Sequence, residues 1–294
     1  MERAKGILYA ALSSSTFGLA PLFTLLLLGL GYSSFEVLSY RWGVASLFLG
    51  ALALLAGRSL RLSWPELRTV FFLILFRAAT SLSLVIAYQH IASGVASTIH
   101  FMYPLAVALA MMCFFREKGS VWVFAAIGMS IVGAVLLSLG NVDFTRGNTT
   151  LGMVSAAVSV VSYGGYIVGV RKSRAVGIDS TVLTCYVMGL GALYFIAGGL
   201  VTGGIRIETD GTAWLCILGV ALPATAVSNM TLVQAIKRIG PTLTSVFGAL
   251  EPLTAVVIGV AVFGEPFTVQ GAAGILLIVA AVTIVILHSG RRKA

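Results

Sequence analysis

Charge is what this 294-residue chain has least of: Asp, Glu, Lys and Arg together make up 10% of it, far below the roughly one-quarter usual in soluble domains. That scarcity excludes a soluble protein. Only 10 residues are acidic and 3 are histidine, which leaves little from which to build paired carboxylates or a nucleophile beside a base, so an enzyme is not expected. Cysteine is also sparse. Cys113, Cys185 and Cys216 all fall inside apolar runs without metal-ligand spacing, an arrangement that argues against a disulfide framework or a zinc site. No metal and no cofactor are expected. Long polar linkers are missing too: the longest breaks, 140–149 and 203–211, are simple polar turns. No soluble domain fits between the apolar stretches, and function must lie within them.

What the chain does have is hydrophobic residues, 59% of the total. They recur from end to end in runs of about twenty, the length needed to cross ~30 Å of hydrocarbon at 1.5 Å per residue. The runs are continuous rather than alternating, which fits helices and not barrel strands. The expected fold class is an all-α polytopic membrane protein. Breaks at Gly, Pro and charge clusters predict ten transmembrane helices near 6–28, 34–56, 67–90, 95–115, 119–139, 150–170, 180–202, 212–235, 241–263 and 267–288. The run after Lys5 is too long for a signal-peptide core and is read as a retained first span.

The net charge of +9 is explained by where its residues sit. With the N-terminus inside, the inside segments carry Arg3, Lys5, Arg58, Arg61, Arg68, Arg116, Lys118, Arg171, Lys172, Arg174, Lys237, Arg238, Arg291, Arg292 and Lys293, fifteen of the 19 cations, while the outside loops carry only Arg146 and Arg206. This asymmetry predicts cytoplasmic N- and C-termini. The partners expected are the lipid bilayer and a small-molecule substrate, with no nucleic acid.

The two halves also look like copies. Laying Gly6 on Gly152 pairs Ala10 with Ala156, Ser13 with Ser159, Thr16 with Ser162, Phe17 with Tyr163 and Gly18 with Gly164. A second overlay puts Tyr103-Pro104-Leu105 on Glu251-Pro252-Leu253, and Phe115-Arg116-Glu117 on Phe263-Gly264-Glu265. Chance similarity among small apolar residues is the alternative. Five spans per repeat is an odd number, so repeats at 1–140 and 149–290 would enter the membrane in opposite orientations, the inverted topology of many secondary transporters.

An Arg in the second span (Tyr40-Arg41-Trp42), Leu250-Glu251-Pro252-Leu253 in the ninth and Phe263-Gly264-Glu265-Pro266 closing it resemble the EamA-type carriers of the drug/metabolite transporter (DMT) superfamily. The resemblance covers essentially the whole chain. Within the superfamily the sequence looks most like the YddG-type aromatic amino acid exporters of the bacterial inner membrane. The first half departs from the Gly-Glu ending, having Arg116-Glu117-Lys118. The resemblance implies a multi-pass protein of the cell inner (plasma) membrane that exports small amphipathic metabolites, amino acids above all and aromatic ones favoured, by alternating access. A passive channel or facilitator, or an exporter of other metabolites or cationic drugs, is the alternative. Proton coupling stays open, as does a monomeric or weakly dimeric state.

Ionisable groups inside a span cost roughly 2.5–3.5 kcal/mol each on insertion scales and are functional candidates by default. Arg77 and Glu251 fall near the midplane and Arg41 in the outer half of its span. Arg77 and Glu251 are placed to meet, either as an ion pair that locks the third span to the ninth or in substrate and gating chemistry. Arg41 has a second reading, snorkelling outward with Glu36 on the same helix. Pro21, Pro104, Pro223 and Pro252 interrupt spans and free backbone carbonyls. Pro21, Pro104, Pro252 and Gly164 are the hinge candidates, packing kinks being the alternative. His100, Tyr103, Ser159, Tyr163, Asn229 and Ser245 gather at similar depth as substrate-binding candidates, in a small cavity of aromatic walls with a few polar groups. Each hydroxyl has an interhelical hydrogen bond as its alternative use.

Overall fold

The computed structural model describes residues 1–138, 147–263 and 268–288. Arg146, the Gly264-Glu265-Pro266 part of the ninth-span motif and the basic tail Arg291, Arg292 and Lys293 lie outside the described residues. Among the described residues the chain is helical and has no β-strand: α1 (Glu2–Phe17), α2 (Ala20–Gly29), α3 (Ser34–Leu55), α4 (Trp64–His90), α5 (Ser93–His100), α6 (Tyr103–Phe115), α7 (Val121–Ser138), α8 (Thr149–Lys172), α9 (Ser180–Thr202), α10 (Gly211–Ala221), α11 (Ser228–Ile239), α12 (Pro241–Val246), α13 (Leu250–Phe263) and α14 (Val269–His288). Eight stretches are long and apolar enough to cross a membrane, and Val121–Leu136 is a shorter apolar helix. Large apolar side chains such as Leu47, Leu55, Phe114 and Val121 face outward, as a protein whose solvent is hydrocarbon requires.

The helix starts follow local chemistry. At α3 the Ser33 amide donates to Glu36 Oε2 at 2.8 Å and the Glu36 amide donates to Ser33 Oγ at 3.2 Å, a reciprocal box that satisfies two orphan donors. At α4 the Ser63 amide donates to Glu66 Oε2 at 2.7 Å, with Pro65 in the first turn. Asn148, Asp179 and Asp210 cap α8, α9 and α10.

Four of the apolar helical stretches are interrupted. Gly18 and Leu19 separate α1 from α2, and Phe101 and Met102 separate α5 from α6; Pro21 and Pro104 then sit in the first turn of the second piece. A π-helical turn over Leu222–Val227 joins α10 to α11, and a 3-10 turn over Phe247–Ala249 joins α12 to α13. In each case the break falls at or just beside the proline, because the imino nitrogen gives no backbone donor and its ring crowds the preceding turn. Gly164 differs: α8 runs unbroken through it, and a Cβ there would lie 3.5 Å from Ala106, an ordinary contact with α6.

The most extensive packing is α3 along α9, α7 along α14, α4 along α8 and α1 along α11, with α6 also against α8 and α13 against α1. Small residues let the backbones close in: a Cβ on Gly133 would come within 2.8 Å of the Gly274 carbonyl oxygen, and one on Gly191 would collide with the Trp42 ring. Polar links tie both ends. At one end Arg206 Nε donates to Glu36 Oε1 at 3.2 Å and its guanidinium stands 4.2 Å from the Tyr32 ring centroid. At the other, Arg58 donates to Asp179 at 2.6 Å and Arg171 to the Lys237 carbonyl at 2.8 Å.

Candidate functional site

The helix breaks converge on one buried cluster of rings. Phe17, the last residue of α1, stacks on Tyr163 of α8 at 6.2 Å with only 12° between planes. Tyr163 meets the Tyr103 ring edge-on at 4.6 Å, and the His100 ring lies 5.3 Å from Tyr103 and 5.2 Å from Tyr163. Such tilted and edge-on arrangements place positive ring edges near negative faces. His100 is oriented by Ser159. The Ser159 hydroxyl donates to the Ala156 carbonyl at 2.6 Å, so its oxygen accepts from His100 Nδ1 at 2.8 Å. That leaves Nε2, buried and without a hydrogen-bond partner among the described residues, as an acceptor.

An arginine and a glutamate border the rings. Arg77 of α4 is 1% exposed. Its guanidinium carbon lies 5.5, 5.2 and 5.8 Å from the centroids of Phe17, Tyr163 and Tyr166, its Nε donates to Asn229 Oδ1 at 2.9 Å and its Nη1 to Ser81 Oγ at 3.3 Å. Glu251, at the start of α13, accepts from the Tyr103 hydroxyl at 3.2 Å. The contact expected between Arg77 and Glu251 is therefore not made directly. The two are connected through Tyr163 and Tyr103, because the aromatic faces and the Asn229 amide satisfy the guanidinium and a phenol satisfies the carboxyl. The locking ion pair between the third and ninth spans gives way to a ring-mediated link.

Arg41 departs from its snorkelling alternative. Glu36 is taken by Arg206, while Arg41 turns inward, 5% exposed, with its Nε donating to Thr225 Oγ1 at 2.6 Å and its guanidinium carbon 5.7 Å from the Phe17 centroid. Both arginines thus border the same ring. The π-helical turn explains how they are held. Thr225 spends its hydroxyl hydrogen on the Val220 carbonyl at 2.7 Å, five residues back, which fixes its oxygen as an acceptor for Arg41. One turn on, Asn229 Nδ2 donates to the Thr225 carbonyl at 2.8 Å, which turns Oδ1 toward Arg77. π-Turns inside α-helices are frequent at functional sites.

The structure brings His100, Tyr103, Ser159, Tyr163, Asn229, Arg77, Arg41 and Glu251 into this cluster. Ser245, also buried, instead donates to the Thr242 carbonyl of its own helix at 2.9 Å. Phe17 and Tyr166 were not singled out in the sequence, although the overlay of Phe17 on Tyr163 was a signal for the first. Gly18 adds a close approach: a Cβ there would stand 2.6 Å from the Glu251 carbonyl oxygen, so only bare backbone lets α1 end against α13.

Comparison with known proteins identifies the kind of molecule. A relative called an uncharacterized transporter, from Archaeoglobus fulgidus, is 25% identical over 238 residues, covering 81% of this chain and 83% of its own. An uncharacterized transporter YojE of Bacillus subtilis is 26% identical over 283 residues, 91% of this chain and 88% of its own. A crystal structure described only as that of a protein superposes with a TM-score of 0.81 at 19% identity, covering 100% of this chain and 99% of that one, which shows a shared fold. The model of the EamA-like transporter family matches residues 4–139 and 150–287. A multi-pass helical chain matched over nearly all of its length by that family model belongs to the EamA-like transporter family of the DMT superfamily.

Proposed function

We propose that the protein is a secondary transporter that exports small amphipathic solutes, amino acids with aromatic side chains favoured, by alternating access. One observation carries this reading: an enclosed cluster of Phe17, His100, Tyr103 and Tyr163 has Arg77 at one side and Glu251 at the other. Rings supply flat apolar area, and a guanidinium and a carboxyl bordering one cluster suit the two ends of a zwitterion.

We read the chain as ten crossings in two inverted repeats. The packing supports this. If each half is exchanged for the other, α3 on α9 and α7 on α14 map onto themselves, α1 on α11 maps onto α8 on α4, and α6 on α8 maps onto α13 on α1. A two-fold relation in the membrane plane requires this symmetry, and broken helices at its centre are where such carriers bind their cargo. The charge asymmetry supports cytoplasmic termini in the inner membrane.

Uptake into liposomes holding the purified protein, measured across radiolabelled amino acids, cationic dyes and nucleotide sugars with and without a pH gradient, tests the reading. Saturable, competitor-sensitive uptake of an aromatic amino acid, with counterflow, is expected. Flux that never saturates would make the protein a channel, and uptake confined to dyes or nucleotide sugars would overturn the substrate class.

A further inference from the structure

The central cluster holds two guanidinium groups and one carboxyl. Arg41 and Arg77 both border the Phe17 ring, at 5.7 and 5.5 Å from its centroid, and Glu251 is the one carboxyl among the residues assembled there. The two guanidiniums are used differently. Arg77 is held by Asn229 and Ser81 and covered by the rings of Phe17, Tyr163 and Tyr166. Arg41 is held at Nε alone, by Thr225, and its Nη2 is buried without a hydrogen-bond partner among the described residues. A buried guanidinium with an unanswered N–H is costly, and two cations on one ring repel each other. An anion would complete such an arrangement, and a carboxylate, the anionic group of an aromatic amino acid, matches the planar fork of Arg bidentately.

We propose that Arg41 is the carboxylate-binding residue of the substrate site, with Arg77 as its fixed cationic neighbour, so that the solute must carry a carboxylate whereas an ammonium is dispensable. This rests on the transport reading above and sharpens it. The solute's ring lies among Phe17, Tyr103 and Tyr163 while its carboxylate takes the free Nη2 edge of Arg41. Thr225 acts as a positioning residue, since its oxygen fixes the guanidinium plane through Nε. Glu251, already accepting from Tyr103, tolerates an ammonium without demanding it.

The test uses the full-length protein in liposomes, loaded for counterflow of radiolabelled phenylalanine, with two competitors that each lack one charge: hydrocinnamate, which keeps the carboxylate, and phenethylamine, which keeps the ammonium. Hydrocinnamate is expected to compete at least about tenfold better, the factor that corresponds to roughly 1.4 kcal/mol. Arg41→Gln is expected to abolish that preference and Arg41→Lys to retain part of it. Equal competition by the two, a preference for phenethylamine, or competition by neither overturns the inference. Thermal unfolding of the unmodified protein in detergent with each analogue gives a second readout that needs no variant: stabilisation by hydrocinnamate and not by phenethylamine is expected, and the reverse overturns it. Failure of the transport reading is distinguishable, because then phenylalanine shows no saturable counterflow at all, while the thermal comparison still decides whether the site prefers an anion.

Discussion

The Tyr103 hydroxyl donates to Glu251 Oε1 at 3.2 Å, joining the two residues that stand immediately before Pro104 and Pro252. Both lie at helix restarts that follow a break, Tyr103 at the start of α6 and Glu251 at the start of α13. The bond therefore connects two broken helices close to the point where each restarts. It also keeps one oxygen of the carboxyl occupied.

Replacing either of two tyrosines separates ring from hydroxyl. Tyr163→Ala should weaken binding of a transported aromatic amino acid by about 1–3 kcal/mol, because stacking on Phe17 and the edge contact with Tyr103 are lost together. Tyr103→Phe keeps the ring and removes only the bond to Glu251, so binding should change by about 1 kcal/mol or less. Equilibrium binding to the detergent-solubilised variants checks both, and equal effects would mean that the rings contribute nothing beyond the hydroxyl.

Thr225 and Asn229 answer for the two arginines, and losing either leaves a buried donor unpaired. Asn229→Ala should destabilise the protein by about 1–3 kcal/mol, and Thr225→Val, which preserves shape, by a similar amount. Thermal unfolding in detergent reports this. Unchanged melting of both variants would show that solvent or the rings already satisfy the guanidiniums.

Gly248 lies in the 3-10 turn between α12 and α13. A Cβ there would collide with the Tyr103 hydroxyl and stand 3.3 Å from the Phe101 ring. Gly248→Ala should therefore push Tyr103 off Glu251 and cost about 1–3 kcal/mol by overpacking, with transport falling several-fold. Pairing it with Tyr103→Phe, which frees the space of the hydroxyl, should restore part of the stability. No rescue in the double variant would place the strain elsewhere.

Asp179, just outside α9, gives a pH prediction. Burial pushes its carboxyl up, but the Arg58 hydrogen bond and the Val182 and Thr181 amides outweigh this and hold it below the usual carboxylate value. A carboxyl lowered in the folded state stabilises fully above its unfolded pKa, and that contribution is lost as pH falls through the folded value. Melting temperature should accordingly drop on acidification below the ordinary Asp range, and Asp179→Asn should flatten that part of the curve while keeping the helix cap. The side chain is 39% exposed and its partner 38%, so the effect is small and should shrink in high salt. An identical acid slope in the variant would remove Asp179 from the cause.

Much of the architecture was legible because it depends on local properties. Apolar run length predicted helices at 34–56 and 180–202, and the structure has Ser34–Leu55 and Ser180–Thr202, since a backbone in hydrocarbon can satisfy itself only by closing its own hydrogen bonds. Prolines 21, 104 and 252 marked the neighbourhoods of three breaks for the same local reason. Overlaying the halves even placed Phe17 on Tyr163 and Tyr103 on Glu251, pairs that prove to be in contact. What the sequence determined by itself was thus the helical, apolar nature of the segments and the places where helices give way. Which side chains meet was decided by tertiary structure alone. Arg77 and Glu251 share a depth, but depth carries no rotation about the helix axis, so only packing could seat Arg77 on Asn229 and three rings instead of on the carboxyl. Arg41 has Glu36 on its own helix and turns away from it, because Arg206, from a loop 165 positions on, takes that carboxylate. The π-turn that aims Thr225 and Asn229 at the two arginines follows from the helices packed around it, since no residue pattern at 222–227 distinguishes it from an ordinary proline kink.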